Sequence, residues 1–501
     1  MTAELKDRNT FNMQQVPIDK LGIEAKQRLK QSGWRFGHLT AVRRGAQMSM
    51  ECLLLNTNDG NGVILSAEMA TDVRAYPSLT PTIPAAHWAE RAVGDMFGLR
   101  ASGHPRWKSI VLHDNVWPTD LTPLWPDAGT TREPYVFFKV KGEGIHEIPV
   151  GPIHAGIIEP GHFRFSCLGE IITNLEIRLG YQHRGIERQL SEMPWQQAHV
   201  LAESASSDTA AGNALAHALA IEQLLGITPP ARATALRMLA LELERLANHV
   251  GDMGAMSGDI GYSPAAALFP PHRGAVLACC QLLSGTRRQR YYILPGGVAR
   301  DLDDGRRQEM LLGMAALAQR LQSHIPLIFE HAGVLERMSG TGRLAPALAK
   351  DFGIVGPAGR ASGSRYDVRT AFPLADASTF SPAHRDSGDV LARAQIRADE
   401  IESSLHIIQH LLENLPQSAI ITRLPDALPA DRTGIGIVEA WRGELIHWVT
   451  TDAGGAVCRY AIKDPSFNNW TGLAIAIRGN LVADFPLCNK SFNLSYSGND
   501  L

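Results

Sequence analysis

No pair of cysteines in this chain has the Cys-x-x-Cys spacing that thiolate metal sites and iron–sulfur clusters use. The six that exist are Cys52, Cys167, Cys279, Cys280, Cys458 and Cys488, and the adjacent pair sits in an apolar run, AVLACCQLL. They read as buried free thiols. Disulfides are therefore not expected, nor is an iron–sulfur cluster held by this chain. Long hydrophobic runs are also missing: no apolar stretch approaches the ~20 residues of a membrane-spanning helix. The N-terminus, MTAELKDRNTFNMQQ, is polar and has no signal-peptide core. The expectation is a cytoplasmic protein that meets a membrane only through partner subunits. Charge of one sign is scarce, with 48 Lys and Arg against 51 Asp and Glu for a net of -3, so no basic field argues for nucleic acid. Gly142-Glu143-Gly144 and Gly340-Thr341-Gly342 are the nearest approaches to a phosphate loop, and neither completes a dinucleotide or P-loop pattern. Any NAD used by a complex containing this chain binds elsewhere in that complex.

What is present is an ordinary globular composition, 45% hydrophobic and 20% charged over 501 residues, enough for two or three domains. The N-terminal part mixes patterns. After an early polar helix, CLLLN and GVILSAEM read as strands joined at the turn Asn58-Asp59-Gly60. The breaker PSLTPTIP then precedes a helix from about Ala85 to Phe97, and Pro118 to Pro134 has the Pro, Gly and Thr content of a linker. Beyond Glu147 the text turns helical. Leu236, Leu239, Leu243, Leu246 and Val250 form one apolar stripe, and Ile401, Leu405, Ile408 and Leu412 another; both predict core packing. After Thr433 strand-like text returns. The fold class is α+β: a small N-terminal α/β domain, then a mainly helical domain with peripheral strands.

Glu90-Arg91, Asp95-Met96-Phe97-Gly98 and Gly103-His104-Pro105 come in the order of a known signature. They resemble the 30-kDa subunit family of respiratory complex I, which implies a docking domain without chemistry of its own. GPIHAGIIEPGHFRF (151–165), LGYQHRGIE (179–187), LELERLANHVGDMG (241–254), GDIGYSP (258–264), LPGGVARDL (294–302), VGPAGRASGSRYDVRTAFP (355–373) and IVEAWRGEL (437–445) follow in turn. These blocks are similar to the complex I 49-kDa subunit and to the large subunits of membrane-bound, formate-hydrogenlyase-type nickel–iron hydrogenases. The resemblance divides the chain into a 30-kDa-like domain (1–125), a linker (126–146) and a 49-kDa-like domain (147–501).

The departures from that pattern decide the chemistry. Counting back from Glu222, the hydrogenase motif R-x-C-G-x-C falls on Ser204, Ser206 and Thr209, and the later D-P-C-x-x-C motif reads Asp464-Pro465-Ser466 to Asn469. All four thiolate positions are thus hydroxyl or amide, whereas nickel and iron in such a site need soft thiolate donors. No metal and no cofactor is expected on this chain; iron–sulfur clusters would lie in a small partner subunit, and a quinone could be the acceptor. In complex I the same cavity serves a quinone headgroup, with a tyrosine and a histidine–aspartate pair. Ser207 or Asp208 stands near the tyrosine position. The resemblance carries the aspartate onto Asp259 and the histidine onto His154 or His162, so these three are the candidate acceptor or proton site. Glu203, Ser206, Ser207, Asp208, Thr209, Ser466 and Asn469 are candidate cavity-lining residues.

Glu203, Asp208, Glu222, Glu242, Glu244 and Arg245 either line the vacated cavity or are solvated faces and interhelical ion pairs. Taken singly, the solvated reading is favoured, because long charged residues on helices are usually exposed. Glu244 in particular is expected at the surface. The Arg360–Arg369 block is expected to be a loop against a partner subunit. The functional expectation is a peripheral-arm subunit on the inner face of the cell membrane. It would pass electrons from an iron–sulfur partner to a quinone-like or unknown acceptor, coupled to membrane-embedded antiporter-like subunits. A structural scaffold is the alternative, and a working nickel–iron hydrogenase is opposed by the absent cysteines.

Overall fold

The computed structural model describes residues 10–70, 72–156, 158–182, 184–374 and 380–501, so most of the polar N-terminal stretch lies outside the described residues. Strands β1 (Phe11–Gln15), β2 (Trp34–Arg44), β3 (Gln47–Asn56) and β4 (Asn61–Met69) form one sheet in the order β1-β4-β3-β2. β1 runs parallel to β4 and the remaining pairs are antiparallel. The β3–β4 hairpin turns where the Asn-Asp-Gly signal places it. Asn56 donates to Asp59, Asp59 accepts from the Asn61 amide, and Gly60 takes the positive φ of 72° that the turn requires. Helices α1 (Leu21–Leu29) and α2 (His87–Phe97) accompany this sheet.

The segment 118–144 contains no helix or strand but is strapped down. Tyr135 Oη and the Phe138 amide both donate to Glu176, each at 2.8 Å. Glu176 belongs to a three-stranded antiparallel sheet of β5 (Ile145–Val150), β6 (His162–Leu168) and β7 (Ile171–Arg178).

The helical part consists chiefly of α3 (Ala210–Leu225), α4 (Ala231–Ile260), α5 (Ser263–Ser284), α6 (Asp304–Phe329) and α7 (Val390–Glu413). The five-residue leucine–valine stripe of α4 is wholly buried, as are Ile401, Ile408 and Leu412 of α7. Each such side chain stabilises the fold by about 1.5–3 kcal/mol. α4 is covered by α3, α5, α7 and a helix near the C-terminus, so its polar side is enclosed as well. That overturns the expectation of solvated faces. Glu203, Glu222, Glu242, Glu244 and Arg245 are all buried, and Glu244, expected at the surface, is 7% exposed. The partner-facing loop expected at Arg360–Arg369 is likewise corrected, because Arg360 and Asp367 are enclosed.

A last antiparallel sheet, β8 (Thr433–Ala440), β9 (Gly443–Thr451) and β10 (Val457–Lys463), lies on α3. The approach is close enough to need glycine: a Cβ at Gly434 or Gly436 would collide with the Ala220 or Ala216 carbonyl oxygen. The other side of this sheet shares a hydrophobic cluster with the N-terminal sheet, through Leu53, Leu55 and Ile64 against Ile437, Ile446 and Trp448. Helices α8 (Ser466–Ala476) and α9 (Phe485–Phe492) follow, and the tail folds back with Ser495, Ser497 and Asn499 buried.

Candidate functional site

The N-terminus of α3, the N-terminus of α8 and the C-terminal tail meet at one place. There Ser206 Oγ donates to Asp208 Oδ1 at 3.0 Å and lies 3.1 Å from Ser495 Oγ. The Ser495 amide donates to Ser466 Oγ at 2.9 Å, so Ser206 and Ser466 are joined through one residue. Thr209 Oγ1 donates to Asp208 at 3.2 Å and accepts from Trp441 Nε1 at 3.1 Å. Arg442 closes the cluster with a two-pronged grip on Asp208, 2.7 Å to each oxygen, its guanidinium lying over the Trp441 ring. Burial alone would raise Asp208; Arg442 and the two hydroxyls outweigh it and hold the carboxyl at about 2. Asp464, enclosed and near the same guanidinium, is pushed up by burial. Asn469 stands apart, its amide bonded to the backbone N–H and C=O of Val355. Ser207 is exposed.

Behind this knot, Glu244 accepts from the Ala211 and Gly212 amides at 2.7 and 3.1 Å, capping the first turn of α3. Burial pushes it up to about 8, Asp208 adds to the rise, and the two amides oppose it. Farther along α4 lies an ionic cluster. Arg360 bridges Glu400 at 2.6 Å, Glu439 at 2.7 Å and Asp367 at 3.2 Å. Arg369 joins Asp367 to Glu242, and Arg245 joins Glu242 to Glu400. His249 Nε2 is 2.8 Å from Glu400. Four carboxylates thus face three guanidiniums. Burial together with Asp367 lifts Glu439 to about 7, whereas burial lowers His249. One proton shared within the cluster would neutralise it.

Other expected members lie elsewhere. Glu203, pushed up to about 7 by burial, accepts from the Tyr291 amide and pairs with Arg290 at 3.0 Å. Glu222 pairs with Arg237. His154 Nε2 and His162 Nδ1 are each bonded to a backbone carbonyl of their own loop, of Gly161 at 2.8 Å and of Gly151 at 3.1 Å. Asp259 is exposed at the last turn of α4, its carboxyl raised by partial burial with Lys490 counteracting. Among the described residues no ion pair joins Asp259 to either histidine, so the expected pairing is not formed. The reason is local: each histidine closes its own β5–β6 loop.

Sequence reasoning missed Arg442, Asp464 and Ser495 as site members, although Arg442 lies within IVEAWRGEL and Asp464 opens the Asp-Pro-Ser motif. It also placed Arg360, Asp367 and Arg369 outside the core. A carboxylate, Asp208, inside a run of small residues was the one available signal that a cation must come from elsewhere.

The chain matches the family model described as the 30-kDa subunit of respiratory-chain NADH dehydrogenase over residues 19–134. It matches the 49-kDa subunit model over 259–436 and 428–500. It is 32% identical to formate hydrogenlyase subunit 5 of Escherichia coli, covering 94% of this chain and 85% of that one. With hydrogenase-4 component G of the same organism the identity is 31%, covering 87% and 78%. With the C/D subunit of NADH-quinone oxidoreductase from Methylococcus capsulatus it is 26%, covering 89% and 82%. Among solved structures, a chain of the membrane-bound sulfane sulfur reductase, an archaeal respiratory membrane complex, superposes with a TM-score of 0.67 at 26% identity, covering 72% of this chain and 99% of that one. The chain belongs to the family of fused 30-kDa/49-kDa subunits of complex I-type and hydrogenase-type membrane complexes.

Proposed function

We propose that this chain is a peripheral-arm subunit that carries no nickel–iron centre and couples electron transfer to proton movement. A small iron–sulfur partner supplies the electrons, a quinone-like acceptor takes them, and membrane-embedded antiporter-like subunits move the ion. No helix among the described residues is long and apolar enough to cross a membrane, which agrees with peripheral attachment through those partners. The donor set does not fit nickel: Ser206, Thr209 and Ser466 offer hydroxyls and Asn469 an amide, and all four are engaged in hydrogen bonds.

The observation that carries the protonic role is the excess of one carboxylate in the buried cluster of Glu242, Asp367, Glu400 and Glu439 against Arg245, Arg360 and Arg369. Such a cluster is neutral with one proton bound and carries a single buried negative charge without it, and a proton of that kind exchanges near neutrality. The test is quinone-dependent turnover of the assembled complex against pH, for wild type and Glu439→Gln. The variant should assemble and lose the inflection near pH 7 that Glu439 supplies. An unchanged profile in an assembled complex would remove the role.

A second reading, a scaffold without redox substrate, is favoured by the closure of the old metal position by Asp208 and Arg442. It predicts that turnover depends on the presence of the chain and on none of its buried carboxylates.

A further inference from the structure

A cavity of about 310 Å³ lies in the N-terminal domain beside α2, shares no residue with the knot or the ionic cluster, and has cationic walls. Arg74, Arg91, Arg100, Lys108 and Arg132 line it, against two carboxylates, Asp95 and Glu133. The cations outnumber them, and Asp95, which acts on both Arg91 and Arg132, is bonded to neither. Asp95 Oδ2 is spent on the amides of Ile110, Val111 and Leu112, at 2.8, 2.9 and 3.2 Å. Glu133 pairs at 2.8 Å with Arg100 at the exposed mouth. Lys108 reaches past the cavity to Glu176 at 2.9 Å.

Arg91 and Arg132 are the telling pair. Arg91 is 6% exposed, yet no carboxylate lies within ion-pair distance among the described residues. Its guanidinium donates to the carbonyls of Lys108 at 2.6 Å and Ser109 at 3.3 Å. Arg132, half-buried, donates to the carbonyls of Leu112, Leu121 and Pro118 and has no ion pair there either. Carbonyl dipoles orient these cations without neutralising them, and a buried charge without a directly bonded counter-ion is costly. Burial accordingly lowers both, Arg91 to about 10.

The shape is built rather than left over. Arg91, Gly94, Asp95 and Gly98 fall on one face of α2 and its C-terminal turn. Gly94 admits the Trp107 ring, whose atoms lie 2.6 Å from where a Cβ would stand. Gly98, at φ +68°, admits Thr130 Oγ1, which a Cβ there would overlap. Two glycines therefore bring an aromatic ring and a hydroxyl to the cationic wall, the combination that holds a phosphate beside a planar or apolar group.

We propose that this cavity binds a phosphate-bearing small molecule, with Arg91 and Arg132 neutralising the charge, Arg100 at the mouth and Trp107 covering the non-phosphate part. The site is independent of the protonic role, and its failure would leave that role untouched. The test is calorimetric titration of the full-length chain with inorganic pyrophosphate, ADP and citrate at matched ionic strength. One saturable site for pyrophosphate or ADP is expected, weakened about tenfold or more in Arg100→Glu. Arg100 pairs at the surface, where an ion pair contributes little to stability, so that variant should fold. Arg132→Gln should weaken binding as well. Tighter ADP than pyrophosphate would identify a phosphate ester resting on Trp107, and equal affinity would identify an inorganic phosphate. No saturable binding of either probe overturns the proposal, as does citrate binding equally well, or binding that survives both substitutions unchanged.

Discussion

The two halves of this molecule are unbalanced in opposite directions. In the N-terminal domain, Arg91 and Arg132 border a cavity and donate to carbonyls, with no carboxylate bonded to either among the described residues. In the helical domain, four carboxylates crowd three guanidiniums in a packed core. The same physical cost, charge in a low-dielectric place, has different remedies in the two settings. Beside a cavity the remedy comes from outside as an anion. In a filled core only a proton is small enough. The knot at Asp208 and Arg442 is the third case, a guanidinium that meets its carboxylate directly.

The largest effect should come from removing a cation where carboxylates are already in excess. Arg360→Leu strands Glu400, Glu439 and Asp367 together and should cost about 3–5 kcal/mol in denaturant unfolding. Arg91→Leu loses bonds to two carbonyls and to the His87 ring but no ion pair, and should cost about 1–2 kcal/mol. Equal costs would break the contrast, since it would mean that Arg91 has an anionic partner or that the cluster tolerates another uncompensated charge.

Next in size is the pH dependence of stability. Glu244 is held at about 8 in the folded chain, well above the ordinary glutamate value, so between those limits the folded state keeps a proton that the unfolded state has lost. Stability from this group is therefore present at low pH and declines as pH rises towards 8, with a limiting slope of about 1.4 kcal/mol per pH unit. Glu244→Gln has no such proton to lose, and its unfolding free energy should vary less across that window. A parallel pair of curves would show that Glu244 stays ionised, held by the Ala211 and Gly212 amides.

How much of this could be read in the chain depends on distance along it. The β3–β4 turn at Asn58-Asp59-Gly60 and the stripe from Leu236 to Val250 are local patterns, and both are where the sequence puts them. Ser206, Thr209 and Ser466 do come together, because motif counting aligned them with one cavity. Arg442 reaches Asp208 across 234 positions, and nothing in either neighbourhood announces the other. Glu244 failed for a related reason. An α-helix shows its own polar face in sequence but not the second layer of helices that covers it.

Restoring cysteines at Ser206, Thr209, Ser466 and Asn469 should produce neither stoichiometric nickel nor hydrogen turnover. Asp208 and Arg442 tie up Ser206 and Thr209, and Asn469 is bonded to Val355, so the shell that orients metal ligands is missing. Loss of such support typically costs ~10–100-fold in affinity or activity. About one nickel per chain by elemental analysis would show that the knot opens readily and that its closure is not what distinguishes this chain.

The smallest effect is expected at Asp259. Its carboxylate is exposed at the end of α4, Lys490 is the opposing charge that acts on it, and His154 and His162 are committed to the carbonyls of Gly161 and Gly151. Asp259→Asn removes an interaction with a surface lysine, which is worth well under about 1 kcal/mol in water. It leaves every bond of the histidine loop in place. Turnover of the assembled complex and its pH profile should therefore stay close to wild type, while Glu244→Gln and Glu439→Gln shift theirs. The comparison is informative because all three substitutions remove one titratable carboxyl and keep the shape. If Asp259→Asn shifts the profile and the two buried variants do not, the proton site lies between α4 and the β5–β6 loop, which must then close on Asp259 when the complex assembles. The ionic cluster would in that case be structural, its extra proton fixed on Glu439.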